Sequence, residues 1–394
     1  MRILWILIGL LPAVAAAGGL RDALERAWER DTEARALEAR EAELQARDSA
    51  AWSLLPAPPA VAVTHRTDQW NNDLGRREWE ADIDLPLWLP GQQRARLGQA
   101  GAERGEWQAA LAERRLALAG ELRRLVWAVA LADSQARLAR QRLVTAQALE
   151  RDVGRRVQAG DLAHADLLLA RNETLTAQSA VLGHAAALAQ ALERYRAFTG
   201  DSAPPPDRDE PAPAATAPDT HPRLEAARTA IAAAQAKARV VRESPRAPPE
   251  LQLVTGSERD AFGESYRQRI GIRLRLPFAT EARNRPLLTE AETALTRAQA
   301  AYRQTQVAVE AEIRQARQAL QAALEQSRLA EQQRNLAAEH LRLKQKAFDL
   351  GELDLSSLMR VRTLLWEAEA AWAQQTMLAG AARGTLNQAL GVLP

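Results

Sequence analysis

The sequence contains no cysteine, only four phenylalanines and three tyrosines in 394 residues, and a formal net charge of just +2. The missing thiols exclude a disulfide framework, a thiolate metal site and lipidation on a cysteine behind an export signal. Acids and bases are interspersed, so the charge gives no argument for nucleic acid as a partner. Beyond residue 20 there is no stretch of about 18 consecutive apolar residues, which excludes a transmembrane helix.

Chemical motifs are missing as well. There is no GxSxG elbow, no HExxH pair and no GxxxxGK[ST] loop. His65, His164, His184, His221 and His340 are scattered, and no two stand one helical turn apart as zinc ligands do. A solvated or interfacial role suits each of them. The many Glu–Arg neighbours lie in helical stretches, where solvated ion pairs are the default. The chain reads as a protein that is not an enzyme and uses no catalytic residue, metal or other cofactor.

What is present points to long helices. Alanine, leucine, glutamate, glutamine and arginine dominate. Ten tryptophans stand out among the few aromatics, and tryptophan favours water–membrane boundaries. The chain opens on the basic Met1-Arg2, continues through the apolar run Ile3 to Val14, and then offers Ala15, Ala16 and Ala17 for cleavage. That pattern predicts a signal peptide over residues 1–17. The alternative, a membrane anchor, would take about 20 apolar residues. An exported mature chain is therefore expected.

The remainder is written twice with a constant shift of 191 residues. Pro86 recurs as Pro277, Arg94 as Arg285, Gly160 as Gly351, Arg171 as Arg362 and Gly200 as Gly391. Apolar positions follow the same shift, for example Leu118 with Val309 and Leu122 with Ile313. Each copy is far longer than a solenoid unit, so the duplication predicts two large homologous halves. We place the first over residues 18–200 and the second over 220–394. The proline- and alanine-rich residues 201–219 read as a linker, or equatorial segment, between them.

Each copy follows one plan. A helical stretch from about Leu20 to Leu54 ends at Pro56, Pro58 and Pro59. A strand hairpin then falls within about 57–89: Val61 and Val63 alternate with Ala62 and Thr64, and Trp79, Ala81, Ile83 and Leu85 alternate with Glu78, Glu80, Asp82 and Asp84. A helix of ~100 Å is predicted from about Gln92 to Val157, with the heptad seam Leu118, Leu122, Leu125, Val129, Ala132, Ala136, Ala139 and Leu143. Gly160 breaks it, Asp161 is a fair N-cap, and a closing helix runs to Phe198 before Gly200. By length, the two shorter helices laid end to end match the long one, which predicts an antiparallel two-layer rod. In the second copy the corresponding pieces are a helix over 222–243, a hairpin within about 249–278, a long helix from about Pro286 to Leu350, a turn at Gly351 and a last helix ending at Gly391.

Four strands cannot close a barrel, and lipid does not tolerate an open sheet edge. The alternation is nonetheless that of a membrane barrel, so several chains must pool their strands, and a homotrimer would supply twelve. At this point the order of pieces resembles the TolC-like outer-membrane efflux factors. The resemblance covers nearly the whole mature chain. It rests on Leu85-Pro86-Leu87-Trp88-Leu89-Pro90-Gly91 and Leu276-Pro277-Phe278 at the strand-to-helix junctions, and on Val157-Gln158-Ala159-Gly160-Asp161-Leu162 and Phe348-Asp349-Leu350-Gly351-Glu352-Leu353 at the turns.

The resemblance implies a mainly α protein with a small β contribution: a trimeric 12-stranded barrel in the outer membrane of a Gram-negative cell, continued by a periplasmic α-helical tunnel. It also implies a passive exit channel served by a periplasmic adaptor (membrane fusion) protein and an inner-membrane pump. The alternative reading is a periplasmic coiled-coil adaptor or structural protein. Two hairpin-bearing copies with only about four strands favour the channel. Many family members carry acids just after the second turn; here Leu355 to Arg360 has none, whereas the first copy keeps Asp161 and Asp166.

Three sets of site residues follow as expectations. Gly160, Asp161, Leu162, Asp166, Gly351, Glu352, Leu353, Ser357 and Arg360 would form the periplasmic tip that meets the adaptor. Leu162 and Leu353 would be its exposed apolar contacts, and Asp161 and Glu352 would cap the following helices. Glu80, Asp82, Asp84, Arg273 and Arg275 would face the barrel lumen as separate acidic and basic stripes. Trp79, Ile83, Ile272 and Leu274 would face lipid.

Overall fold

A computed structural model describes residues 19–211 and 220–394. The signal-peptide residues lie outside that range, as does most of the second half of the linker. The described chain is α1 (Leu20–Arg30), α2 (Thr32–Ala51), β1 (Ala60–Thr67), β2 (Arg77–Pro86), α3 (Gln92–Ala159), α4 (His164–Thr199), α5 (Pro222–Arg242), β3 (Glu250–Arg259), β4 (Arg267–Arg275), α6 (Glu281–Asp349) and α7 (Leu355–Ala389). The two copies thus share one plan of helix, hairpin, long helix and helix.

Two boundaries depart from expectation. The opening helix is interrupted at Asp31, whose backbone is extended (φ −74°, ψ 121°). Its carboxylate accepts from the Ala34 N–H at 2.7 Å, an N-cap for α2, and also receives Arg114 in a two-pronged pair at 2.9 and 2.6 Å. Helix α6 begins at Glu281, five residues ahead of Pro286, which sits inside the helix. A proline that early removes one hydrogen bond close to an end where N–H groups already lack partners.

The chain divides into two compact units, each built from several segments, and α3 and α6 contribute to both. One unit (residues 35–113 and 221–308) holds the four strands. They form one antiparallel sheet in the order β1-β2-β3-β4, so β1 and β4 are its edges. The hairpins of the two copies pair through β2 and β3, with Asp84 opposite Gln252 and Ile83 opposite Leu253. Backbone bonds from Leu87 N–H to the Pro249 carbonyl (2.7 Å) and from Phe262 N–H to the Leu74 carbonyl (3.1 Å) extend the contact at either end. Helix α2 is tied to the start of α3 by Arg47–Glu103 at 3.1 Å and by the Trp107 indole donating to the Leu37 carbonyl at 2.7 Å.

The other unit contains the predicted seam. Leu118, Leu122, Leu125 and Val129 of α3 are buried with Leu24 of α1 and Tyr195 of α4. Ala132, Ala136 and Ala139 continue the seam as buried positions. Here α7 approaches α3 so closely that a Cβ on Gly380 would lie 2.0 Å from the Trp127 ring. The start of the linker is anchored rather than loose. Glu210 is buried, accepts from the Nε and Nη2 of Arg123 at 2.7 Å each, and accepts from Asn387 at 3.0 Å. Arg123 also donates to the carbonyl of Val392, so the inter-copy segment and the residues after α7 share one guanidinium.

Candidate pore sheet and tip turns

Directly paired residues of an antiparallel sheet share a face. The rung Val61–Ile83–Leu253–Ile272 is therefore apolar on one side, and Leu85–Leu251–Leu274 follows it on the same side. Trp79 belongs to this face and stacks on His65 with ring centroids 4.0 Å apart. In the single chain the face is bare: Ile270 is 88% exposed and Ile272 74%. The opposite face carries the rungs Thr64–Glu80–Gly256–Arg269, Asp84–Gln252–Arg273 and Glu250–Arg275, with Asp82 between them. Trp79, Ile83, Ile272 and Leu274 thus lie together on one side, and Glu80, Asp82, Asp84, Arg273 and Arg275 on the other.

The charges do not form separate stripes. Strands β2 and β4 are indeed not neighbours, but Arg269 reaches across β3 to Glu78 at 2.6 Å and Glu80 at 3.0 Å, and it also meets Glu258 at 3.2 Å. Gly256 makes the crossing possible, because a Cβ there would stand 3.0 Å from the Arg269 Nε. Without Arg269, and Arg66 at 3.3 Å from Glu78, the facing carboxylates of Glu78 and Glu258 would be an unfavourable like-charge pair. Asp82 and Asp84 each keep one buried oxygen without a hydrogen-bond partner among the described residues.

Gly256 and Arg269 were missed by the sequence reading, though a signal existed. Arg267, Arg269, Arg273 and Arg275 all fall on one parity of β4, and a glycine inside a strand marks a close approach.

The two predicted turns meet in one cluster. Gly160 and Gly351 both adopt left-handed backbone (φ 86° and 76°), which glycine reaches without steric cost. The N–H groups of Asp161 and Glu352 bond back to the carbonyls of Arg156 and Ala347, each at 2.9 Å. These two acids therefore close the preceding helices and do not cap the following ones. Capping falls to residues further on. Asp166 accepts from the Ala163 N–H at 3.2 Å, and Asp354 accepts from the Ser357 N–H at 2.8 Å and its hydroxyl at 2.7 Å. Hydrogen bonds from the Ser356 and Ser357 hydroxyls hold the Asp354 carboxyl far below the usual carboxylate range.

Leu162 and Leu353 are half-buried, not exposed. They pack on Leu149, Val153, Phe348, Leu355 and Leu358, a cluster fed by both copies. Arg156 bridges the copies, 3.8 Å from Asp349 and 5.1 Å above the Phe348 ring. Arg360 is exposed. Among the described residues no three His, Asp or Glu side chains are grouped to hold a metal ion, and no helix is long and apolar enough to cross a membrane.

Residues 216–392 match the family model for the outer membrane efflux proteins. The chain carries an outer membrane efflux protein domain. The match covers the second copy, and the 191-residue repeat extends the same plan to the first. Solved structures agree over most of the chain. The outer membrane protein VceC from Vibrio cholerae superposes with a TM-score of 0.74 at 17% identity, covering 95% of this chain and 96% of that one. The CmeC outer membrane channel of Campylobacter jejuni gives 0.73 at 13% identity, over 94% of this chain and 85% of the other. The open state of the MtrE outer membrane channel from Neisseria gonorrhoeae gives 0.68 at 16% identity, over 95% and 89%. At these identities the likeness is one of fold. No curated protein sequence matches the chain. The family model and the solved outer membrane channels thus point the same way, the one for residues 216–392 and the others for the fold of the chain.

Proposed function

We propose that three copies of this efflux protein pool their four-stranded sheets into a closed 12-stranded barrel, a passive outer-membrane exit duct. The observation that carries this reading is the open sheet itself: two unpaired edges, one face bare and apolar, the other charged. Lipid requires closure of such edges, and the two faces suit a lipid-facing exterior and a water-filled lumen. Trp79, Ile83, Ile272 and Leu274 then face lipid, while Glu80, Asp82, Asp84, Arg273 and Arg275 line the lumen with Arg269.

The Gly160 and Gly351 turns form the periplasmic end, where an adaptor protein docks and an inner-membrane pump delivers substrate. Their joint cluster offers a packed tip with Asp166, Ser357 and Arg360 at its surface. Reconstitution in planar bilayers tests the duct. Stepwise ohmic conductance from a three-chain species is expected. A periplasmic fraction with no bilayer conductance would contradict the proposal.

A further inference from the structure

A cleft of about 550 Å³ opens within the sheet-bearing unit, between α2, α3, α5 and the start of α6. Its volume falls in the range of small-molecule sites. Four arginines line it, Arg47, Arg96, Arg246 and Arg283, against one acid, Glu103. Arg47 is already engaged by Glu43 and Glu103, and Glu103 also receives Gln99 at 2.8 Å. Arg96, Arg246 and Arg283 have no hydrogen bond or ion pair among the described residues. Three uncompensated guanidiniums therefore point their charge at one cavity.

The rest of the wall is apolar. Trp88, held by its indole bond to the Ser53 carbonyl at 3.1 Å, stands with Pro248 and Leu287. Trp88 and Pro248 belong to the segments that join strands to helices. The other two helix–strand junctions, α2 to β1 and β4 to α6, expose Trp52 (69%), Leu54 (88%) and Phe278 (85%) to solvent. Exposed aromatics beside unpaired arginines are the composition of a membrane–water boundary.

We infer that this cleft binds the phosphate headgroup of an anionic phospholipid of the periplasmic leaflet. The inference rests on the barrel reading, which puts the strand-to-helix junctions at that leaflet. A guanidinium offers a planar fork of donors that matches phosphate oxygens, and pairing there replaces charge left unopposed in the free protein. Trp88, Leu287 and the exposed junction side chains receive the acyl-chain side of the same molecule.

The test is native mass spectrometry of the detergent-purified protein, titrated with phosphatidylglycerol, phosphatidylcholine or inorganic phosphate. Wild type should retain phosphatidylglycerol at least tenfold better than phosphatidylcholine, and inorganic phosphate weakly. The variant R96Q/R246Q/R283Q should lose that preference, whereas R94Q, outside the cleft, should keep it. An unchanged preference in the triple variant overturns the site. Equal retention of inorganic phosphate and phosphatidylglycerol overturns the lipid assignment in favour of a soluble anion. Bilayer conductance of the same preparations separates the two readings: conducting protein without lipid preference sinks this inference alone, and protein that never inserts sinks the barrel.

Discussion

At the scale of single residues, Arg269 organises the charged face. It is one cation set among Glu78, Glu80 and Glu258, admitted by the missing side chain of Gly256. Half of Arg269 is exposed, and solvent screening leaves ion pairs of that kind little weight in folding stability. Arg269→Gln should therefore leave folding nearly intact while uncovering negative charge. In a salt gradient its reversal potential should shift toward cation selectivity relative to wild type; an unchanged potential would place this face away from the conducting path. The alternation of β2 and β4 made both faces legible from the sequence, down to the parity of each charged residue. The bridge was not legible, because it depends on which strand lies between β2 and β4 and on a glycine at one rung of it.

At the scale of elements, helices and strands were read to within a few residues wherever a proline, a glycine or a long periodic run marked them. The break between α1 and α2 was missed because Thr32 to Ala51 gives no stronger signal than an unbroken helix. The Ala34 N–H and the Arg114 guanidinium, 83 positions away, together hold Asp31 out of the helix, and the second partner lies outside any local pattern. The Arg114 guanidinium, ahead of the Ala34 and Glu33 N–H groups, lowers the Asp31 pKa. A carboxylate with a lowered folded pKa stabilises above the ordinary aspartate value of about 3.9 and stops doing so as pH falls through the folded value. Asp31→Ala should cost about 1–2 kcal/mol at neutral pH through the lost cap. In thermal unfolding, the gap between variant and wild type should persist from pH 7 to 5 and narrow below about pH 4; a gap independent of pH would show that the charge is idle. The two sheet faces invite a paired test. An arginine at the lipid midplane costs about 2–4 kcal/mol, so Ile272→Arg should impair membrane assembly while Arg273→Ala should not. Equal tolerance, scored by outer-membrane fractionation, would refute the assignment of faces.

At the scale of the molecule, the internal duplication carried most of the reading. One offset predicted two copies, and the hairpin of each copy supplied two strands to one sheet. The tip was half legible. Both glycine turns fell where expected, but Leu162 and Leu353 turned inward because the turns of the two copies meet and share a core, a contact no single-copy reading contains. The closure of the sheet lies beyond one chain, and it is the central claim. A short bis-maleimide between cysteines at Ala62 on β1 and Gly271 on β4 tests it directly, since the chain has no cysteine of its own and β2 and β3 separate these strands within one protomer. Applied to the double variant in outer membranes, the reagent should give a ladder of one, two and three linked chains that ends at three. A ladder that runs past three, or cross-linking confined to single chains, would contradict a barrel closed by three copies.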